Sequence, residues 1–248
     1  MIREKSLIKS AEQLAPGIYS LWLYCPRITK QAKPGQFVQI QLSNSYEPFL
    51  CRPLSIADTE FNKLRIIFRI RGKGTLLLKD KKPGDELFLL GPLGKPITLS
   101  NNKNIILCAG GVGIAPLLFL AKKMPKKNKL QLYFGTKNKS EMILLNKFKP
   151  LCKKIFLTTD DGSVGKKGVI TDLLNRLSQS DRTTLYAAGP TDMLKNIKVK
   201  VSEAYGFLEE RMGCGCGICF SCAVKKKDNS FSRVCIDGPV FDLNDIEL

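Results

Sequence analysis

Apolar and polar residues alternate with strand period through the first hundred positions. Residues 18–24, 36–42 and 64–70 each send side chains to two faces in turn. Pro34-Gly35, Pro83-Gly84 and Gly91-Pro92 punctuate these runs with turn chemistry. Many short strands between such turns predict an antiparallel β-barrel over residues 1–98. From residue 99 to 208 the rhythm becomes strand, turn and helix. Buried-strand runs fall at 104–109, 130–134, 154–158 and 184–188, and helical runs at 117–122, 171–177 and 192–205. That alternation predicts a parallel sheet with helices on its faces, an α/β domain. Residues 209–248 follow neither period and form a small C-terminal module built around cysteine.

That module carries the most specific chemistry. Cys214-x4-Cys219-x2-Cys222-x12-Cys235 lies in a glycine-rich stretch of a chain without histidine. A C-x4-C-x2-C comb with a distal fourth cysteine is the ligand spacing of plant-type 2Fe–2S sites. Glycines let such a loop fold tightly and turn N–H groups toward sulfur. The absence of histidine excludes a Rieske centre, which needs two imidazoles. Cys216 opens a second register, Cys216-x2-Cys219-x2-Cys222, but Lys226 stands where a 4Fe–4S run needs its fourth cysteine. Zinc remains an alternative, although Cys235 is the only cysteine on the distal side of the comb. A disulfide framework suits neither nine cysteines nor an N-terminus without signal-peptide features. Cys25, Cys51, Cys108 and Cys152 stand singly in apolar segments and read as buried, inert thiols.

Composition narrows the class. Hydrophobic content of 44% and charged content of 25% suit an ordinary soluble protein, and no apolar run reaches transmembrane length. The formal charge of +18 comes from dispersed lysines without interleaved aromatics. It reads as a solvated surface that attracts anionic dinucleotides or an acidic partner, not as a nucleic-acid interface. Reduced thiols and a charged N-terminus predict a cytoplasmic protein.

Three further motifs suggest phosphate-bearing ligands. Gly110-Gly-Val-Gly-Ile-Ala-Pro116 closes a strand and opens a helix, so its backbone can approach a pyrophosphate at a helix N-terminus. It departs from the G-x-G-x-x-G fingerprint, and a tight turn needing glycine is the plainer alternative. Arg52-Pro-Leu-Ser55 offers a planar fork for a diphosphate and a hydroxyl for a ring edge. Ile67-Phe-Arg69 leads into the basic turn Arg71-Gly-Lys-Gly-Thr75, a second candidate cradle or an ordinary hairpin.

In this order, and with Gly91-Pro-Leu-Gly94, Thr159-Asp-Asp-Gly-Ser163, Ala188-Gly-Pro-Thr-Asp-Met193 and Cys235-Ile-Asp-Gly-Pro-Val-Phe241, the motifs resemble the ferredoxin–NADP reductase superfamily. The tail is similar to one branch of it, the electron-transfer subunits of dihydroorotate dehydrogenase B. The resemblance implies FAD held by Arg52, Pro53, Leu54, Ser55, Ile67, Phe68, Arg69, Gly74 and Thr75. It implies NAD against Gly110, Gly111, Gly113 and Pro116, with Gly135-Thr136 and Asp160-Asp161 nearby. Cluster ligands map to Cys214, Cys219, Cys222 and Cys235, leaving Cys216 as an extra thiol. Ala188 stands where the superfamily often has cysteine before Gly-Pro. The implied partner is an FMN-containing catalytic subunit, in a heterotetramer of two plus two, with electrons passing through the cluster and FAD to NAD+. No catalytic acid, base or nucleophile is required of this chain. Flavoprotein subunits of NADH-dependent ferredoxin:NADP oxidoreductases or hydrogenases share these modules, and a zinc-stabilised nucleic-acid-binding module is the rival from another class.

Overall fold

The computed structural model of the protein describes residues 1–42, 47–101, 103–177 and 180–248, and the side chains of all of these except 180–182. The chain divides into two compact units. One comprises Met1–Ile97, Glu209–Val224 and Ser232–Pro239; the other comprises Thr98–Leu208, Lys225–Phe231 and Val240–Leu248. Residues 209–248 therefore contribute to both units.

The first unit is the closed antiparallel barrel that alternation predicts. Its strands are β1 (Ile2–Ala15), β2 (Ile18–Tyr24), β3 (Phe37–Gln41), β4 (Arg52–Glu60), β5 (Lys63–Arg69) and β6 (Glu86–Leu93), in the order β1-β2-β5-β4-β3-β6. Short helices α1 (Pro26–Gln31) and α2 (Lys73–Lys79) fill connections. Ile18, Leu23, Val38, Ile40, Leu64, Ile66 and Leu89 are fully buried, and β2, β3 and β5 bury side chains of both parities. Glu4 is buried with them, and its carboxylate accepts N–H bonds from Arg27 (3.1 Å) and Ile28 (2.8 Å) at the start of α1. A carboxylate there satisfies free amides and the helix dipole together.

The second unit is the α/β domain. Strands β7 (Asn104–Gly110), β8 (Lys129–Thr136), β9 (Lys154–Thr159), β10 (Lys166–Lys167), β11 (Ser180–Ala188) and β12 (Val201–Phe207) pair in parallel, in the order β10-β9-β8-β7-β11-β12. Helices α3 (Ile114–Lys123), α4 (Leu145–Phe148), α5 (Ile170–Leu174) and α6 (Thr191–Lys195) occupy the connections. Two short strands, β13 (Ala223–Lys225) and β14 (Phe231–Arg233), form a ribbon, and β15 (Val240–Asp242) adds an antiparallel edge beside β12. Fully apolar runs such as Ile105–Ala109 are what a parallel sheet covered on both faces requires.

Three expectations fail. Gly91-Pro92, read as a turn, lies inside β6, and Lys73-Gly-Thr75, read as part of a turn or hairpin, opens helix α2. The helix read over residues 192–205 stops at Lys195, and Val201–Phe207 is strand β12. The Asn196 side-chain amide donates to the Asp192 carbonyl at 2.8 Å and closes the helix end. Beyond it, Val201, Tyr205 and Phe207 are strand formers, and Tyr205 stacks on Tyr186 of β11 with ring centroids 5.4 Å apart. The apolar spacing fits both periods over this stretch, and sheet pairing decides.

The turn after β7 depends on an absent side chain. A Cβ at Gly113 would run into the carbonyl of Ala188, in the backbone of the neighbouring strand. Gly113→Ala is expected to cost about 1–3 kcal/mol through overpacking. Gly72→Ala, with nothing within 4 Å of the added methyl, is expected to stay within about 0.5 kcal/mol of the parent. Thermal unfolding of the two variants checks this contrast.

Candidate cofactor sites

The cysteine loop is shaped by left-handed glycines. Gly215 and Gly217 have φ of 69° and 85°, and the chain doubles back around Cys214. Its sulfur accepts backbone N–H bonds from Ile218 (3.3 Å), Cys216 (3.4 Å) and Cys219 (3.4 Å). Cys219 Sγ accepts from the Cys214 N–H at 3.4 Å and lies 3.1 Å from the Ser221 hydroxyl. Ser221 Oγ also accepts from the Gly213 N–H at 2.9 Å, tying the two ends of the loop. Cys222 and Cys235 are buried, and the Val234 N–H donates to the Cys222 carbonyl at 3.0 Å.

This environment sorts the thiols. Partial burial raises Cys214, but the three backbone donors outweigh it and bring its pKa to about 6. The Ser221 hydroxyl, then backbone N–H groups, lower Cys219. Burial, followed by the hydrogen bond with Cys222, pushes Cys235 to about 12. Burial and then the neighbouring Cys214 raise Cys216. The four comb cysteines thus form two pairs, Cys214 with Cys219 and Cys222 with Cys235. Among the described residues, no three His, Cys, Asp or Glu side chains gather as around one metal ion. Two cysteine pairs, one of them with N–H donors aimed at sulfur, fit a two-iron cluster, which takes two cysteines on each iron. Of the isolated cysteines, Cys25 and Cys108 are fully buried and raised by burial to about 11 and about 12. Cys51 and Cys152 are half-buried and are also raised by burial.

The flavin-like motifs meet on the barrel. Arg52, Pro53, Leu54 and Ser55 open β4 and are half-exposed. Arg52 Nη1 donates to the Leu50 carbonyl at 2.6 Å. A Cβ at Gly74 would run into the Arg52 guanidinium, so the turn of α2 lies directly against that side chain. Thr75 Oγ1 accepts from the Arg71 N–H at 2.8 Å and donates to the Gly72 carbonyl at 3.1 Å, which fixes the turn. Ile67 and Phe68 are buried, Phe68 stacks with Tyr19, and Arg69 emerges half-exposed at the end of β5.

The same strands hold the cysteine loop. Register pairs Gln39 with Pro53 and Phe37 with Ser55, so these four side chains share a sheet face. A Cβ at Gly215 would fall 2.8 Å from Gln39 Cγ, and Lys95 N–H donates to the Gly238 carbonyl at 2.6 Å. The loop is therefore seated on the face that presents Pro53 and Ser55.

In the second unit, the dinucleotide-like residues gather at the carboxyl ends of the parallel strands. Gly110 is opposite Gly135, Thr136 is opposite Thr159, and Ala188 is opposite Ala109. Such edges are where open α/β sheets take their ligands. Gly110 and Gly111 are half-exposed before the ten-residue helix α3, whereas Gly113 and Pro116 are buried and hold the turn. Asp161 accepts from the Ser163 hydroxyl at 2.6 Å and N–H at 2.9 Å, and these bonds keep its carboxyl below the usual range. Sequence reasoning missed Ser221, Arg233 and Gln39. Arg233 donates to the Gly217 carbonyl at 2.9 Å and lies over the Phe220 ring, bracing the loop. A lone serine or arginine carries no signal for such a role, and Gln39, polar in an alternating strand, reads as a residue on a solvated face.

Comparison with known proteins gives concordant results. Residues 209–247 match the family described as the iron-sulfur cluster binding domain of dihydroorotate dehydrogenase B, and residues 107–198 match the oxidoreductase NAD-binding domain. The chain is 38% identical over 240 residues, covering 92% of each chain, to the dihydroorotate dehydrogenase B (NAD(+)) electron transfer subunit of Desulforamulus reducens. The Bacillus velezensis protein of the same name is 35% identical over 254 residues, covering 97% of each chain. Among solved structures, an NADH-dependent reduced ferredoxin-NADP oxidoreductase, studied for flavin-based electron bifurcation, superposes with a TM-score of 0.88. That match is 32% identical and covers 98% of this chain and 89% of the other.

Metal-free protein should show the thiol order directly. A depressed pKa leaves Cys214 as thiolate above its value, so its alkylation by iodoacetamide should rise with a midpoint near pH 6. Cys216, shifted upward, should lag at neutral pH. Mass spectrometry of labelled peptides across pH reads both.

Proposed function

Because the chain belongs to the family of electron transfer subunits of dihydroorotate dehydrogenase B, we propose that it carries electrons between a dihydroorotate-oxidising partner subunit and NAD+. It is an oxidoreductase subunit that uses a 2Fe–2S cluster, FAD and NAD. The observation that carries the reading is the seat of the cysteine loop. Gly215 packs on Gln39, the cross-strand neighbour of Pro53, so cluster ligands and flavin motif belong to one rigid body. Electron transfer between two centres needs that fixed closeness.

The chain's residues divide the work. Cys214, Cys219, Cys222 and Cys235 hold the cluster, with the amides of residues 214–219 supplying donors to sulfur. Arg52 would neutralise the FAD diphosphate, and Gly74, by lacking a side chain, lets the α2 turn pack directly against that guanidinium. Pro53, Leu54, Ser55, Ile67, Phe68 and Arg69 would contact the flavin, and Thr75 fixes the α2 turn. Gly110 and Gly111 present backbone N–H groups to the NAD pyrophosphate, and Gly113 and Pro116 set the helix behind them. When bound, the cluster carries single electrons and the flavin couples one-electron to two-electron steps, the chemistry that joins the partner to NAD+. The residues position and tune; none acts as acid, base or nucleophile. The partner carries FMN and assembles with this chain as two plus two, in the cytoplasm. No helix among the described residues is long and apolar enough to cross a membrane.

A second reading rests on the 0.88 superposition: the same modules serving a ferredoxin-linked bifurcating complex. The partner separates the two. Anaerobic purification with the native partner should yield dihydroorotate-dependent NAD+ reduction; an iron–sulfur-rich partner that exchanges electrons with ferredoxin, and no turnover of dihydroorotate, would favour the second reading.

Two variant tests follow from the assignments. Cys219→Ser should abolish the 2Fe–2S spectrum, and Cys216→Ser should leave it intact. Arg52→Ala should weaken FAD binding roughly tenfold or more, since a charge-assisted hydrogen bond is worth about 1.5–3 kcal/mol. Retained FAD after gel filtration reads the loss.

A further inference from the structure

Gln39 is an anomaly in the barrel. Its side chain is 1% exposed, yet neither Nε2 nor Oε1 has a hydrogen-bond partner. Leaving a buried polar group unpaired costs about 1–3 kcal/mol, so native proteins seldom keep one without a use. Among the described residues, the other orphaned side-chain atoms are the single hydroxyls of Ser6, Ser100 and Thr158. A whole carboxamide left unsatisfied is a larger debt, and it sits in a telling place.

Gln39 lies at the centre of β3, opposite Pro53, and the cysteine loop covers it. The contact is with Gly215, the residue between Cys214 and Cys216. A Cβ built there would fall 2.8 Å from Gln39 Nε2, with Oε1 not among its three nearest atoms. The carboxamide thus sits against the loop whose N–H groups already converge on sulfur, and with neither atom bonded it is free to turn Nε2–H toward that loop. Gly215 also has φ of 69°, so both its backbone and its lack of side chain keep the way open.

We propose that Gln39 is a positioning residue for the cluster, donating its Nε2–H to a sulfur of the group held by the cysteine loop. The inference rests on the cluster assignment made above. An anionic cluster gains charge on reduction, and a donor to its sulfur favours the reduced state. Gln39 therefore raises the cluster's midpoint potential from a strand paired with the one that carries Pro53 of the flavin motif.

The test uses the purified holo-complex. Gln39→Met keeps length and removes the donor. It should lower the midpoint potential of the cluster in an EPR-monitored titration while FAD content and flavin potential stay as in the parent. In wild-type protein labelled with 15N at glutamine side chains, pulsed EPR of the reduced cluster should detect nitrogen coupling that Gln39→Met removes. An unchanged cluster potential, or a shift confined to the flavin, overturns the proposal, as does absent 15N coupling in wild type. If Gln39→Met does not load a cluster, the wild-type coupling decides alone. A wild-type protein without any 2Fe–2S signal overturns the cluster assignment and this inference together, whereas a normal signal without coupling overturns only the inference.

Discussion

The packing of the cysteine loop on β3 is the contact on which the functional architecture depends. Gly215 rests on Gln39, and Gln39 pairs across the ladder with Pro53. Through that contact, residues more than 150 positions apart in the chain share one rigid face. A side chain at position 215 would have to displace a fully buried glutamine, and a left-handed backbone there already favours glycine. The requirement is steric and conformational at once. Without that seat, the cysteines would hang from the barrel on a loop with little regular structure of its own.

Electrostatics builds the rest of the site around the same loop. Backbone amides lower Cys214, the Ser221 hydroxyl lowers Cys219, and burial raises Cys235. A metal cluster takes its cysteines as thiolates, and the lowered Cys214 and Cys219 are prepared for that. The turn after β7 is likewise glycine-built and opens the ten-residue helix α3. The cysteine loop uses amides in place of the cationic side chains that the lysine-rich surface has in plenty.

Much of this was legible in the sequence, and for identifiable reasons. Strand β2 occupies the residues that alternation marks, although its buried side chains, Ile18, Ser20, Leu21 and Leu23, change parity midway along it. The βα rhythm of residues 104–136 was equally plain, since parallel strands are apolar throughout. Spacing marked the four cysteines because the ligand pattern is local. The 201–207 strand was not legible, as its apolar spacing suits either period until β11 and β15 pair with it. Nor was the sharing of residues 209–248 between both units, which depends on pairing partners far away in the chain. Gln39 shows the limit most clearly. Alternation marks it as a polar residue on a solvated face, and only the returning cysteine loop turns that face into an interior.

The central claim is that flavin and cluster sites on one barrel face form a single conduit for electrons arriving from NADH. An anaerobic titration of the isolated chain with NADH, followed by EPR of the cluster, tests it most directly. The account predicts that NADH reduces the cluster in FAD-loaded protein and leaves it oxidised when FAD has been removed. Cluster reduction that is equally fast without FAD, or no reduction when both groups are bound, would contradict it.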